Sequence, residues 1–130
     1  MRFDVLDGSM EIDTDRLDVG PAELRRQLAE YAAGERQAFD VQVDFPDSFT
    51  GRVMAAMAAI PYGETRTYGE LAEAIGTSPR AVGGGCGRNP VGIVVPCHRV
   101  LRSDGGLGGF SAAGGVELKR RLLDHEARHA

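Results

Sequence analysis

The 130-residue sequence predicts an α/β chain of the α+β kind, with a small amino-terminal α/β unit over 1–46 and a mainly helical domain over 47–130. Three observations carry that expectation. An alternating apolar run, Phe39, Val41, Val43 and Phe45, has the period of a half-buried strand and is broken by Pro46. Two helical patterns separated by a short glycine turn then fill 68–87 in helix-turn-helix form. Finally, an apolar run over 91–95 predicts a short buried strand that Pro96 ends directly before Cys97.

Each element has its own signal. Phe3-Asp4-Val5-Leu6 reads as a strand closed by Asp7-Gly8. Pro21 opens a helix with Leu24, Leu28 and Tyr31 on one face, and Gly34 ends it. Phe49, Val53, Met54, Met57 and Ile60 recur at helical spacing until Pro61-Tyr62-Gly63, and the two methionines read as core. Thr67 and Glu70 form a capping-box pattern before Leu71, Ala72 and Ile75, and Gly76 stops that helix. Ser78-Pro79 then opens a second helix, which Asn89-Pro90 breaks. Many such helical hairpins bind nothing, so the pattern alone leaves DNA contact open. Glycines from Gly105 to Gly109 follow the Cys97 segment. A last helix is expected over 116–125, with Leu118, Leu122 and Leu123 inward and Lys119, Arg120 and Arg121 largely outward. His125 and His129 read as solvated terminal residues.

With 42% apolar residues the chain can fill a core, and 26% charged residues is ordinary for a globular surface. No apolar run is long enough to cross a membrane, and Met1-Arg2-Phe3-Asp4 is unlike a secretory leader. A cytoplasmic monomer is therefore the expectation. The net charge of −4 divides unevenly. Through Phe49, five basic residues face twelve acidic ones, and from Thr50 onward ten face seven. The second part is thus positive and compatible with an anionic partner, although scattered arginines would sum the same way. Cys86 and Cys97 are too few for a disulfide framework, and with three histidines they form no zinc spacing. Neither metal nor cofactor is expected.

Cys97 carries the chemistry. A thiol becomes a nucleophile on losing its proton, and positive neighbours favour that loss. His98 can act as base, directly or through a water, and Glu126 could orient the imidazole. On spacing alone, a small buried residue followed by a surface histidine fits equally well.

A longer constellation resolves the choice. Pro61-Tyr62-Gly63-Glu64-Thr65-Arg66-Thr67-Tyr68-Gly69-Glu70-Leu71-Ala72, Arg80-Ala81-Val82-Gly83-Gly84, Asn89-Pro90 and Val95-Pro96-Cys97-His98-Arg99-Val100 stand here in that order. Together they resemble the O6-alkylguanine-DNA alkyltransferases over about residues 49–127. The resemblance implies direct reversal of damage in double-stranded DNA, by irreversible transfer of an alkyl group from O6 of guanine to Cys97. It implies His98 and Glu126 as a proton relay, Asn89 as the hinge of the active-site turn, and Tyr68 beside the flipped nucleotide. It implies Arg80 in the gap left in the base stack, with Ala81, Gly83 and Arg99 as further DNA contacts. Val100, Phe110, Ser111 and Lys119 would form the pocket. Base flipping is needed because O6 is unreachable within a duplex, and a small-residue helix can lie close in the minor groove. The chain departs from the family pattern in a shorter 76–80 segment, in Phe110 where tyrosine is common, and in a longer stretch after Ser111. A related class of proteins binds the lesion without transfer, usually with tryptophan in place of the cysteine.

Overall fold

Strand β1 (Arg2–Val5) doubles back as β2 (Gly8–Glu11), an antiparallel pair with Phe3 opposite Met10. The computed structural model describes residues 1–108 and 115–130 of the chain. Leu6 (φ 46°) and Asp7 (φ 64°) both sit in the left-handed region, as a two-residue turn that follows strand twist requires. Helix α1 (Pro21–Ala32) starts on proline and buries Leu24, Gln27, Leu28 and Tyr31, spaced three and four apart on one face.

The alternating run 39–45 does not become a strand. Val43 alone bridges, to Leu17, with the Asp44 amide on the Arg16 carbonyl at 2.7 Å. Its neighbour over Thr14–Arg16 is a 3₁₀ turn, so no ladder can extend. Helix α2 (Phe49–Ala58) is capped by Ser48 and buries Val53, Met54 and Met57 completely, the core role expected of the methionines.

Strand β3 (Arg66–Thr67) leads directly into α3 (Tyr68–Ile75). The capping box is complete, with the Glu70 amide on Thr67 Oγ1 at 3.0 Å and the Thr67 amide on Glu70 Oε1 at 2.9 Å. Gly76 ends the helix at φ 88°, and Ser78 caps α4 (Pro79–Gly87) through the Ala81 amide. Helices α2, α3 and α4 pack on one another.

Residues 91–95 form a turn where a strand was expected. Val91 makes one antiparallel bridge to Ile12, while the Val95 amide folds back onto the Val91 carbonyl at 3.0 Å. Asn89 takes the remaining groups: its Nδ2 donates to the Val95 carbonyl at 3.0 Å and its Oδ1 accepts from the Val91 amide at 3.1 Å. The polar groups of this turn are satisfied locally, so no neighbouring strand is needed. Cys97–Arg99 is one 3₁₀ turn, and β4 (Val100–Leu101) pairs parallel with β3.

Helix α5 (Gly115–His129) runs longer than expected and buries Leu118, Lys119, Leu122, His125 and Glu126. Two assignments are corrected here. Lys119 has no exposed surface, and His125 is 4% exposed with Nε2 bonded to the Tyr31 carbonyl. One hydrophobic cluster includes Phe3, Leu24 and Tyr31 from the first part and Met54, Val95 and Leu118 from the second. Among the described residues, no helix is long and apolar enough to cross a membrane.

Candidate active site

Asn89, the turn it closes and the β3–β4 pairing together fix Cys97 at a cleft. That cleft lies between α3 and α4 on one side and the 102–108 segment on the other. Tyr68, Arg80, Gly83, Cys86, Cys97 and Gly108 are among its lining residues. Four sequence candidates, Tyr68, Arg80, Gly83 and Cys97, therefore meet at one surface, with Ala81 half-buried on the same helix.

Cys97 is 9% exposed. Burial pushes its thiol pKa up, partly offset by an Asn89 hydrogen bond, the charge of Lys119 and a hydrogen bond from the Ile93 backbone. Ile93 holds that position at φ 71°, a left-handed conformation that disfavours a β-branched residue. Burial thus favours the neutral thiol over the thiolate.

The next residue along the chain is an imidazole. His98 is fully buried, and its Nε2 stands 2.6 Å from Glu126 Oε2. Burial lowers the His98 pKa, opposed by Glu126. Burial alone would raise Glu126, but hydrogen bonds from His98 and Arg99 hold the carboxyl well below the usual range. The carboxylate thus takes the Nε2 proton as a hydrogen bond, leaving Nδ1 as the acceptor. Among the described residues, Nδ1 is buried without a hydrogen-bond partner. It is free to receive a proton.

Arg99 lies apart from the cleft. The expectation made it a DNA contact, whereas the structure turns it inward at 7% exposure. Nε donates to Glu126 Oε1 at 2.7 Å, Nη2 to Oε2 at 3.1 Å and Nη1 to the Ile60 carbonyl at 2.7 Å. Lys119 is also internal. Its Nζ donates to the carbonyls of Val100 (2.7 Å) and Leu107 and sits 5.7 Å from the centre of the Tyr68 ring. It thereby ties the cleft wall to β4. Val100 is fully buried in the core. Phe110 and Ser111 lie outside the described residues.

Tyr31 and Arg102 escaped the sequence reading of the site, whereas Cys86 reads from the sequence as facing either the core or DNA. Tyr31, from α1, donates its hydroxyl to Glu126 Oε2 at 2.7 Å across 95 residues of chain. Its only signal was general: a buried tyrosine hydroxyl needs a partner. Cys86 faces the cleft with its thiol 3.4 Å from Met57 Sδ, and burial, then the charge of Cys97, raises its pKa to about 12. Arg102 lines the cleft while paired with Asp104 at 2.9 Å.

Residues 48–128 match the family model described as 6-O-methylguanine DNA methyltransferase, DNA binding domain. The chain belongs to this family. A methylated-DNA–protein-cysteine methyltransferase of Mycolicibacterium paratuberculosis is 50% identical over 107 residues, covering 80% of this chain and 64% of that protein. The chain therefore spans a little under two thirds of that relative. The crystal structure of Mycobacterium tuberculosis OGT in complex with DNA superposes with a TM-score of 0.77 at 46% identity, covering 84% of this chain and 68% of that one. The O6-methylguanine-DNA methyltransferase of Pyrococcus kodakaraensis matches 97% of this chain and 96% of that one, at TM-score 0.60 and 28% identity. The methyltransferase family thus accounts for the mixed fold as well as for the Cys97 segment.

Proposed function

We propose that this chain repairs DNA by direct reversal, moving an alkyl group from O6 of guanine in a duplex onto Cys97. The observation that carries the proposal is the placing of the Cys97 thiol in the cleft formed by Tyr68 and the Arg80–Gly83 face of α4, with His98 and Glu126 behind it.

The chemistry follows from the groups present. A nucleotide rotated out of the stack enters the cleft, and Arg80 at the mouth fills the gap it leaves. Cys97 passes its proton to His98 Nδ1, directly or through a water, while Glu126 stabilises the imidazolium. Sulfur attacks the alkyl carbon; the S–C bond forms as the C–O6 bond breaks, and the bonding pair stays on the guanine oxygen. Guanine takes up one proton through the Tyr68 hydroxyl, which regains it from solvent while His98 gives up to solvent the proton it took from Cys97, so the protons balance. Burial raises the Tyr68 pKa to about 12, which keeps the hydroxyl protonated for that task. The thioether has no route back, and each molecule acts once. Lys119 and Arg99 serve from inside, holding the cleft wall and the relay.

The test is an intact-mass measurement after incubation with a duplex containing one O6-methylguanine, followed by peptide mapping. The expected result is a gain of one CH2 on Cys97, absent with unmodified duplex and absent in Cys97→Ala. Tight, lesion-selective binding with no mass change would move the protein to the class that binds lesions without transfer.

A further inference from the structure

Glu126 receives more donors than a His–Glu pair requires. Oε2 accepts from His98 Nε2 (2.6 Å), the Tyr31 hydroxyl (2.7 Å) and Arg99 Nη2 (3.1 Å), while Oε1 accepts from Arg99 Nε (2.7 Å) and the Gly63 amide (3.4 Å). Tyr31 and His98 share one oxygen. Charge that this oxygen lends to the phenol is charge it cannot lend to the imidazole, and a carboxylate less available to imidazole makes a weaker base of it.

The Tyr31 hydroxyl is not needed to hold the ring in place. The ring stacks on Phe39 at 5.5 Å, meets Tyr62 edge-on at 6.2 Å and lies 5.2 Å from His125, whose Nε2 also fixes the Tyr31 carbonyl at 2.7 Å. Packing and backbone bonding thus define the side chain without its oxygen, so the hydroxyl can be removed alone.

We propose that Tyr31 is a positioning residue of the relay: its hydroxyl bond to Glu126 limits how strongly His98 draws the proton from Cys97. The proposal rests on the alkyl-transfer reading for its purpose, though not for its test. It gives the amino-terminal unit a part in the reaction chemistry. Damping the relay keeps the thiol protonated at rest, and hence inert to stray electrophiles, until a substrate fills the cleft.

The other charged and titratable groups around the relay stay unchanged when the hydroxyl is removed. Helix α5 supplies Lys119 and His125 besides Glu126. The 3₁₀ turn supplies Arg99, Tyr62 faces Arg99 at 5.6 Å, and Tyr68 of α3 and Cys86 of α4 line the cleft together with Cys97. Arg99 and Lys119 both disfavour a charged His98, and Glu126 favours it. Tyr31→Phe shifts this balance through Glu126 alone, towards a stronger base and an easier loss of the Cys97 proton.

The experiment follows the rate of Cys97 carbamidomethylation by iodoacetamide against pH, read by peptide mapping so that Cys86 is counted separately. In Tyr31→Phe the midpoint of the profile should fall by about half a pH unit, with about threefold faster reaction below the wild-type midpoint. Site-specific 3-fluorotyrosine at 31, a stronger donor, should move the midpoint the other way. Phe39→Leu, which loosens the packing around Tyr31 but touches no relay group, should leave the midpoint in place. Superimposable profiles for wild type and Tyr31→Phe, or equal shifts in Tyr31→Phe and Phe39→Leu, would overturn the proposal. So would a fluorotyrosine shift in the same direction as phenylalanine. The reaction uses no DNA, so failure of the repair reading, seen as no mass gain with lesion duplex, is read separately.

Discussion

Arg99→Leu separates an internal strut from a DNA contact. The substitution removes two bonds to Glu126 and one to the Ile60 carbonyl, and leaves a carboxylate that is only 1% exposed facing a leucine. Breaking a buried ion pair from one side costs about 3–5 kcal/mol, because the surviving charge stays desolvated. Apolar contacts of the new side chain return about 1 kcal/mol, leaving about 3 kcal/mol. In a chain of this length each kcal/mol moves the melting temperature by about 4 °C, so a fall of about 12 °C is expected. Differential scanning calorimetry reads that number. The companion measurement is duplex affinity across a salt series, where the slope of log K against log salt should match wild type, since no phosphate contact is lost. A melting temperature within about 3 °C of wild type, together with a slope shallower by about 0.9, would refute the buried placement and restore Arg99 to the DNA face.

Two further outcomes follow from the same structure. Gly85→Ala should destabilise by about 1–3 kcal/mol, because a Cβ there would lie 2.7 Å from Val53 Cγ2 and drive α4 off α2, whereas Gly83→Ala, with nothing within 4 Å, should raise the melting temperature slightly; thermal melts of the pair should therefore move in opposite directions. The folded-state pKa of Glu126 lies below its usual 4.5, so the stability it contributes is fully present above that pH and is lost as pH falls through the folded value. Urea unfolding of wild type and Glu126→Gln from about pH 7 to about pH 3 should give a gap that narrows only below that point, and a constant gap would count against the charged relay.

The helices were legible because their signals are local. Thr67 and Glu70 announce a capping box three residues apart, and Ser78-Pro79 starts the next helix, with no help from the rest of the chain. The Cys97 segment was legible as a string for the same reason. The sequence misled where a role depends on distant partners. Arg99, Lys119 and His125 read as surface groups because cations and imidazoles usually are, and only the fold supplies the Glu126 carboxylate and the backbone carbonyls that hold them inside. Tyr31 reads as one more apolar-face residue of α1, since nothing near it in sequence reveals a carboxylate 95 residues away. The alternation over 39–45 has the period of a strand but meets a 3₁₀ turn, and a pattern cannot report the absence of a pairing edge. The 91–95 run is apolar enough for a strand, yet Asn89 satisfies its polar groups within a turn.

The segment bearing the thiol is tied at both ends to the two helices of the helix-turn-helix. Asn89, just past α4, closes the turn before Cys97, and the strand leaving the turn pairs with Arg66 and Thr67, the two residues that lead into α3. Sulfur and the two helices are therefore joined through short stretches of chain, the two Asn89 hydrogen bonds and the β3–β4 pairing. Under the proposed reaction the nucleotide is the component that has to travel, because O6 is unreachable within the stack. Discrimination between damaged and intact guanine then begins before any contact with the pocket, in how readily each base leaves its neighbours, and a weakened base pair is the first thing such a protein would sense.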